Sequence, residues 1–429
     1  IAGRVQPPDG NHLEESGGDG GMKRAVLGEL CDFFNGGAWS DKEYVNAGIP
    51  VLKVTNCKST GFQLDSLNYL SEKSREKYKK NELVIGDVII ATVGSHPNLI
   101  ESAAGRSCIV NSQVEGFYLN QNAVCVRTKD KKVLSQKYLG YLCKCADFQH
   151  YIQSRGRGAA NQMRIAISSI REYSFTLPDI ENQQYIADTL SAYDDLIENN
   201  QKQIKLLEEA AQRLYKEWFV DLRFPGYENT KIVDGVPEGW SESTVSEVSA
   251  VLRRGISPKY NEKARGIVIN QKCIRQAIVS YDEARTQEKK YPVELELRES
   301  DVAICSTGAG TLGRVGQIFE VKENTTLDSH VTLIRANEKV GQQYLFWSLK
   351  MKQDYLMNAG RGSTNQLELS RETIGSCEIL MPERKIAEQV EKNFVAIHDK
   401  MKECSMRIAR LREVRDLLLP KLMSGEVEV

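Results

Sequence analysis

The feature that most constrains this chain is a heptad seam between Pro178 and Phe219. Apolar residues stand at Ile186, Leu190, Tyr193, Ile197, Ile204, Leu207, Ala211, Leu214 and Trp218, and Asn200 takes one place in the series. Steps of four and three alternate throughout, which keeps these side chains on one stripe of an α-helix, as in a coiled coil. At 1.5 Å per residue, Ile186 to Trp218 makes a rod roughly 50 Å long. A single apolar stripe on such a rod needs a partner to cover it. Asn200, at a seam position, reads as a register device: one buried Asn costs stability but rejects slipped pairings.

The partner stands at the other end of the chain. Ile386 to Leu422 carries Val390, Phe394, Ile397, Met401, Cys404, Ile408, Leu411, Val414 and Leu418 on a second seam, with Lys400 near the place that Asn200 takes in the first. The stretches ahead of the two helices also repeat. Gly158, Asn161-Gln162, Ile170 and Pro178 recur 204 residues later as Gly362, Asn365-Gln366, Ile374 and Pro382, and Arg157 recurs as Arg361. Asp87-Val88 is matched by Asp301-Val302, and Ile186-Ala187 by Ile386-Ala387. The expected fold class is α+β: two mixed α/β domains separated by two long antiparallel coiled-coil helices, related by a pseudo-two-fold internal repeat. The boundaries read as an added leader or disordered extension over 1–21, a first domain over 22–178, a helix over 179–222, a linker and second domain over 223–382, and a second helix over 383–429.

Within the first domain, strands are expected at Ile49–Val54, Leu83–Ile85, Asp87–Thr92 and Gln121–Arg127. A helix is expected over Lys137–Ser154, running into a Gly-rich basic loop at Arg155–Gln162, with a short helix over Ser168–Glu172 and a strand over Tyr173–Leu177. No apolar run reaches membrane-spanning length. The ten cysteines contain no CxxC and no zinc spacing, so they read as reduced thiols, several of them core residues, with no metal site. Gly308-Ala-Gly310-Thr-Leu-Gly313 fits GxGxxG, but an apolar strand follows it where a dinucleotide site needs a helix, so it reads as a turn. Asp282-Glu283-Ala284-Arg285 resembles a helicase box, yet no phosphate-binding loop accompanies it. The five histidines do not cluster in sequence. The absence of a cofactor loop or catalytic signature points to a binding protein.

The net charge of −1 conceals local patches. Phe148–Arg171 holds four arginines and no acid, and Val251–Lys290 holds ten Lys or Arg against four Asp or Glu. Basic patches of this kind are the electrostatic footprint of a nucleic-acid binder.

The pair LPDIENQQYIADTL…KEWFVDLRFPG and LMPERKIAEQV…RDLLLPKLMSGEVEV, with VPEGW (Val236–Trp240) opening the second half, resembles the specificity (S) subunit of type I restriction–modification systems. The resemblance spans Met22 to Glu428 and is most specific in the helices. It implies that each globular half is a target recognition domain reading one half of a bipartite double-stranded DNA target. It further implies that the helices set the gap and dock methyltransferase (M) subunits, two of them, with restriction (R) subunits completing a cytoplasmic complex. The chain itself would be non-catalytic and would hold no cofactor; S-adenosylmethionine, ATP and Mg would sit on the partners. On that reading the DNA-contacting candidates are Lys53, Asn56, Lys58, Arg155, Arg157, Asn161 and Gln162 in the first half. In the second half they are Arg253, Arg254, Lys259, Tyr260, Gln271, Lys272, Arg361, Asn365 and Gln366. Asn or Gln suits adenine and Arg or Lys suits guanine, while the Arg253-Arg254 pair suits phosphate. The repeated Gly-Asn-Gln loop has a structural reading as well, since readers of different half-sites should differ where they read. Two other functions stay open: a coiled-coil scaffold with two ligand-binding heads, and a nucleotide-dependent enzyme using Gly308–Gly313.

Overall fold

The structure is a computed structural model that describes residues 23–58, 61–64, 66–94, 104–159, 162–308, 310–360 and 367–426. Asn161, Arg361, Asn365 and Gln366 lie outside the described residues, as does the side chain of Gln162. The chain divides into two compact units, Ile1–Tyr193 with Val414–Val429, and Asp194–Glu413. The long helices are therefore shared between the units and do not form bodies of their own.

The first unit is built on an antiparallel sheet. In chain order its strands are β1 (Cys31–Asn35), β2 (Val88–Ala91), β4 (Ser107–Ile109) and β5 (Ala123–Thr128), arranged β4-β2-β5-β1, and the two-residue β3 (Val93–Gly94) continues from β2. Side chains alternate across a strand, and here both faces are covered. Val88, Ile90, Val124 and Val126 pack with Tyr138, Leu139 and Leu142 of α1 (Gln136–Lys144). Ile89 and Cys125 face the other way, into a layer with Leu52, Leu83 and Cys108. The strand Lys23–Val26 pairs with Ser174–Leu177 and closes the domain just before α2 (Ile180–Tyr215). The start of α2 joins this core: Ile186, Ala187 and Leu190 share a cluster with Leu422, and Leu418, Leu419 and Met423 pack against it.

Three local expectations differ from what is observed. The helix expected over Lys137–Ser154 is two helices, because Cys145 adopts an extended conformation between Lys144 and Ala146. Leu83–Ile85 is no strand; Val84 and Ile85 are exposed at the turn that leads into β2. The basic stretch after Ser154 is not a plain loop: β6 (Arg157–Ala159) and β7 (Gln162–Arg164) pair antiparallel, and β7 adds to β3 in a three-stranded sheet.

The second unit repeats the plan. β8 (Ser249–Arg254), β9 (Val302–Cys305), β10 (Val315–Gln317) and β11 (Val331–Ala336) form an antiparallel sheet ordered β10-β9-β11-β8. Val302, Ile304 and Ile334 pack with Tyr344–Leu349 of α3 (Gln342–Met351), while Ala303, Cys305 and Leu333 face a separate layer. Ser241–Thr244 pairs with Glu378–Met381, closing this domain just before α4 (Arg384–Ser424). Within this unit α2 and α4 run antiparallel. Cys404 Sγ donates to Gln203 Oε1 at 3.7 Å, whereas Tyr215 stacks near Tyr344, whose backbone N–H donates to Glu391. Later positions on α2 thus meet earlier positions on α4.

The seam positions behave as their spacing requires. Ile186, Leu190, Ile197, Asn200, Ala211, Trp218, Val390, Phe394, Met401, Cys404 and Ile408 are buried, and Tyr193, Ile204, Leu207, Leu214, Ile397, Leu411 and Leu418 are half-buried. Val414 departs from the pattern and is exposed. Past it the buried stripe is carried by Leu418 and Leu422. Asn200 bonds back to its own helix, Nδ2 donating to Leu196 O at 2.7 Å, and its Oδ1 is buried with no partner among the described residues. After Tyr215 a π-turn over Lys216–Val220 swings Trp218 and Phe219 into an aromatic cluster with Phe224, Trp240 and Tyr344.

Polar contacts lock each domain to its helices. In the first unit the buried Gln183 accepts from Ser135 N, the N-cap of α1, and donates to Val133 O and Pro178 O. In the second, the Glu391 carboxylate accepts the backbone N–H groups of Gln343 and Tyr344 at the start of α3, and burial holds its pKa above the usual carboxylate value. Lys350 donates to Val315 O at 3.2 Å and lies 3.7 Å from Glu208 of α2; burial depresses its ammonium pKa.

Candidate nucleic-acid interface

The repeat persists down to single hydrogen bonds. In the first unit Arg127 grips Asp87 through two bonds of 2.6 and 2.7 Å and donates to Glu82 O, while Asp87 accepts from Val84 N. In the second, Arg335 grips Asp301 through two bonds of 2.7 Å and donates to Glu296 O, while Asp301 accepts from Arg298 N. Gln136 bridges Thr128 N and Gly86 O, and Gln342 bridges Ala336 N and Ser300 O in the same manner. Bidentate Arg–carboxylate pairs fix orientation as well as distance. Each clamp pins one end of its central sheet, at the start of β2 or β9 and the end of β5 or β11. The opposite sheet ends are where polar side chains gather.

In the first unit the basic stretch is presented on the β6–β7 hairpin. Arg157 stands directly opposite Arg164, and both are exposed. Arg155 is exposed with its guanidinium 5.0 Å from the Tyr151 ring. Lys53 is half-buried with Nζ 4.8 Å from the Tyr44 ring, and Lys58 is half-buried on a short strand. Asn56 is buried: its Oδ1 accepts from Lys53 N and its Nδ2 donates to Gln63 O. It shapes the turn from which Lys53 and Lys58 project, and its amide faces backbone where the sequence reading had it face a base.

In the second unit the local basic excess is partly spent on internal pairs. Arg253 is exposed. Arg254 is bound on three sides, to Glu368 at 2.8 Å, Leu369 O at 2.9 Å and Ser329 O at 3.3 Å. That geometry makes it a strut of the sheet edge, where the sequence reading assigned it to phosphate. Lys259 pairs with Glu288. Tyr260 donates to Asp328 Oδ2 at 3.2 Å beneath the Arg285 guanidinium; burial and then Asp328 push its phenol pKa up. Lys272 is exposed, and Gln271 is half-buried beside Gly308. The described part of the Gly308–Gly313 stretch is a turn leading into β10, so no helix N-terminus stands behind it to hold a phosphate.

Sequence reasoning missed Asn122, Thr307 and His330, which sit at the free sheet ends. His330 Nδ1 lies 2.6 Å from Thr307 Oγ1 and Nε2 lies 3.8 Å from Asp328. Their shared signal is position within the repeat, which becomes readable only once the strands are aligned.

Comparison with known proteins supplies the assignment. Residues 21–209 match the family model of the type I restriction modification DNA specificity domain. A type I restriction enzyme specificity subunit of Haemophilus influenzae, HindI, is 22% identical over 92% of this chain and 96% of its own length. The MjaIX specificity subunit of Methanocaldococcus jannaschii is 26% identical over 68% of this chain and 69% of its own. Over residues 21–209 the chain carries a type I restriction modification DNA specificity domain. The crystal structure of the S subunit from M. genitalium has the same fold, with a TM-score of 0.52 at 16% identity, covering 93% of this chain and 95% of that one. The long helices α2 and α4 bury their seam residues on one side. Their outer faces are not uniformly polar: Tyr185 and Leu417 are exposed in the first unit, and Leu196, Leu206, Val395 and Met406 in the second. Among the described residues no helix is long and apolar enough to cross a membrane.

Proposed function

We propose that this chain is the DNA-reading subunit of a type I restriction–modification complex, each unit addressing one half of a gapped, double-stranded target. The observation that supports this most directly is the duplicated framework: two copies of one clamped sheet whose scaffold bonds repeat while the exposed polar side chains differ. The subunit is not itself an enzyme. Adenine N6-methylation with S-adenosylmethionine would belong to two M subunits, and ATP- and Mg-dependent translocation and cleavage to R subunits. The exposed Tyr185, Leu196, Leu206, Met406 and Leu417 are apolar points on otherwise charged helices, and they suit docking of the M subunits.

The paired helices act as a ruler. One heptad added to each helix keeps the seam in register and lengthens the rod by about 10 Å, or about three base pairs at 3.4 Å per pair. Mapping methylated adenines in cells that carry this insertion should show both half-sites unchanged and a gap longer by about three pairs; an unchanged gap overturns the ruler. The near-zero net charge and the internally paired cations further imply weak DNA binding by the free chain. Fluorescence anisotropy with and without M subunits tests this, and tight, sequence-specific binding by the chain alone would count against it.

A further inference from the structure

The ends of the two central sheets opposite the clamps carry one backbone lane with two different sets of side chains. In the first unit Thr92 N donates to Asn122 O at 2.9 Å and Ile165 N to Thr92 O at 2.8 Å; Asn35 pairs with Val124, and Arg164 with Val93. In the second unit Ser306 N donates to His330 O at 2.8 Å and Leu369 N to Ser306 O at 2.8 Å; Arg254 pairs with Thr332, and Glu368 with Thr307. The same bonds thus bring four matched positions together, occupied by Asn35, Asn122, Val93 and Arg164 in one unit and by Arg254, His330, Thr307 and Glu368 in the other. At the clamped end the matched residues are the same: Asp87 and Asp301, Arg127 and Arg335, Gln136 and Gln342. At the free end none is the same, although the backbone is.

The electrostatics of the two lanes also differ in kind. Arg157 and Arg164 face each other across β6 and β7, and like charges directly opposite destabilise a strand pair. Such an arrangement gains from an incoming group rich in acceptors, such as a guanine edge flanked by phosphates. In the second unit the position of Arg164 is an acid, Glu368, which neutralises Arg254 at 2.8 Å, and Thr307 fixes the orientation of the exposed His330 ring. This lane offers Glu and His, which suit the amino group of cytosine and a mixed donor–acceptor edge, on a surface with little net charge.

We infer that these lanes are the base-reading surfaces of the two units, with Asn122 and Arg164 determining one half-site and His330 and Glu368 the other. This rests on the proposed DNA-reading role. The test uses the full chain assembled with its M subunits and two duplex libraries, each keeping one half of the wild-type target and randomising the other. R164A and N122A should lose about tenfold or more of base discrimination in one half, leaving preferences in the other half unchanged. H330A and E368Q should do the converse. R164K separates two roles of Arg164: Lys keeps the charge without the planar fork, so it should keep affinity and lose discrimination. Thermal unfolding checks that each variant folds, and an unaltered half-site preference is a second check within the same experiment. Variants that leave both halves unchanged, or blur both alike, overturn the assignment, as does full discrimination by R164K. A wild-type complex that selects no gapped motif would instead remove the DNA-reading role itself, and that result appears before any variant is made.

Discussion

Removing the Asp301 carboxylate should destabilise the second unit more than removing Asp87 destabilises the first. Asp301 is 1% exposed and Arg335 11%, and the guanidinium makes further bonds to Glu294 O and Glu296 O. Asp301→Ala therefore strands a buried cation and also removes the acceptor of Arg298 N. Breaking a buried pair in this way costs roughly 3–5 kcal/mol. At roughly 2–4 °C per kcal/mol for a unit of this size, the melting point should fall by on the order of 10 °C. Asp87 is equally buried, but Arg127 is 33% exposed and can turn to water, so Asp87→Ala should cost about 1–3 kcal/mol. Three of the four tryptophans, Trp218, Trp240 and Trp347, lie in the second unit and Trp39 in the first, so urea unfolding followed by fluorescence reports mainly on the second. Circular dichroism reports on both. A loss below about 1 kcal/mol for Asp301→Ala, or a larger loss for Asp87→Ala, would refute the argument that burial of the cation sets the cost.

His398 should make the second unit acid-sensitive. It is buried against Gln317, Ser300 and the Phe319 ring, and burial lowers its pKa despite the nearby Asp399 and Glu299. The unfolded chain then takes up a proton that the folded chain refuses, so stability should fall as pH drops through the ordinary histidine value of 6.5. Unfolding curves at pH 7.5 and 5.5 should converge for His398→Gln relative to wild type; parallel shifts in both proteins would refute it. Asn200→Leu should raise stability by about 1–2 kcal/mol, because it replaces a buried, unsatisfied Oδ1 with seam hydrocarbon, and an unchanged urea midpoint would contradict this. Gln183→Ala should cost about 2–4 kcal/mol by unpairing Ser135 N, Val133 O and Pro178 O, measured as a loss in the unfolding free energy of the first unit.

What could be read from the sequence, and what could not, follows the range of each interaction. The seams were legible because a coiled coil needs only apolar type at fixed spacing, and Ile186, Leu190, Met401 and Ile408 are buried as that rule demands. Val414 failed because periodicity alone does not show where an apolar stripe is left uncovered. The repeat was legible at Asp87 and Asp301, but their partners Arg127 and Arg335 lie 40 and 34 residues on, beyond any local motif. The β6–β7 hairpin read as a loop because its strands are three residues long and its supporting strand, Val93–Gly94, is distant in sequence. Asn56 and Arg254 looked available because a sequence does not reveal that Lys53 N and Gln63 O, or Glu368 and Leu369 O, have already engaged them.

The way α2 and α4 are shared between the units bears on how the protein is made. The second unit is one continuous segment, Asp194–Glu413, whereas the first needs both Ile1–Tyr193 and Val414–Val429. Leu422, at the very end of α4, completes a core that begins at Ala25. Domains generally fold as they leave the ribosome, the N-terminal one first. Here the first unit emerges without Leu418, Leu419, Leu422 and Met423, which belong to the same core as Ile186 and Leu190, and it waits through the synthesis of the entire second unit for them. The half translated first is the half completed last, and until the end of α4 has been made its unfinished core is a surface that a chaperone or a neighbouring nascent chain would meet.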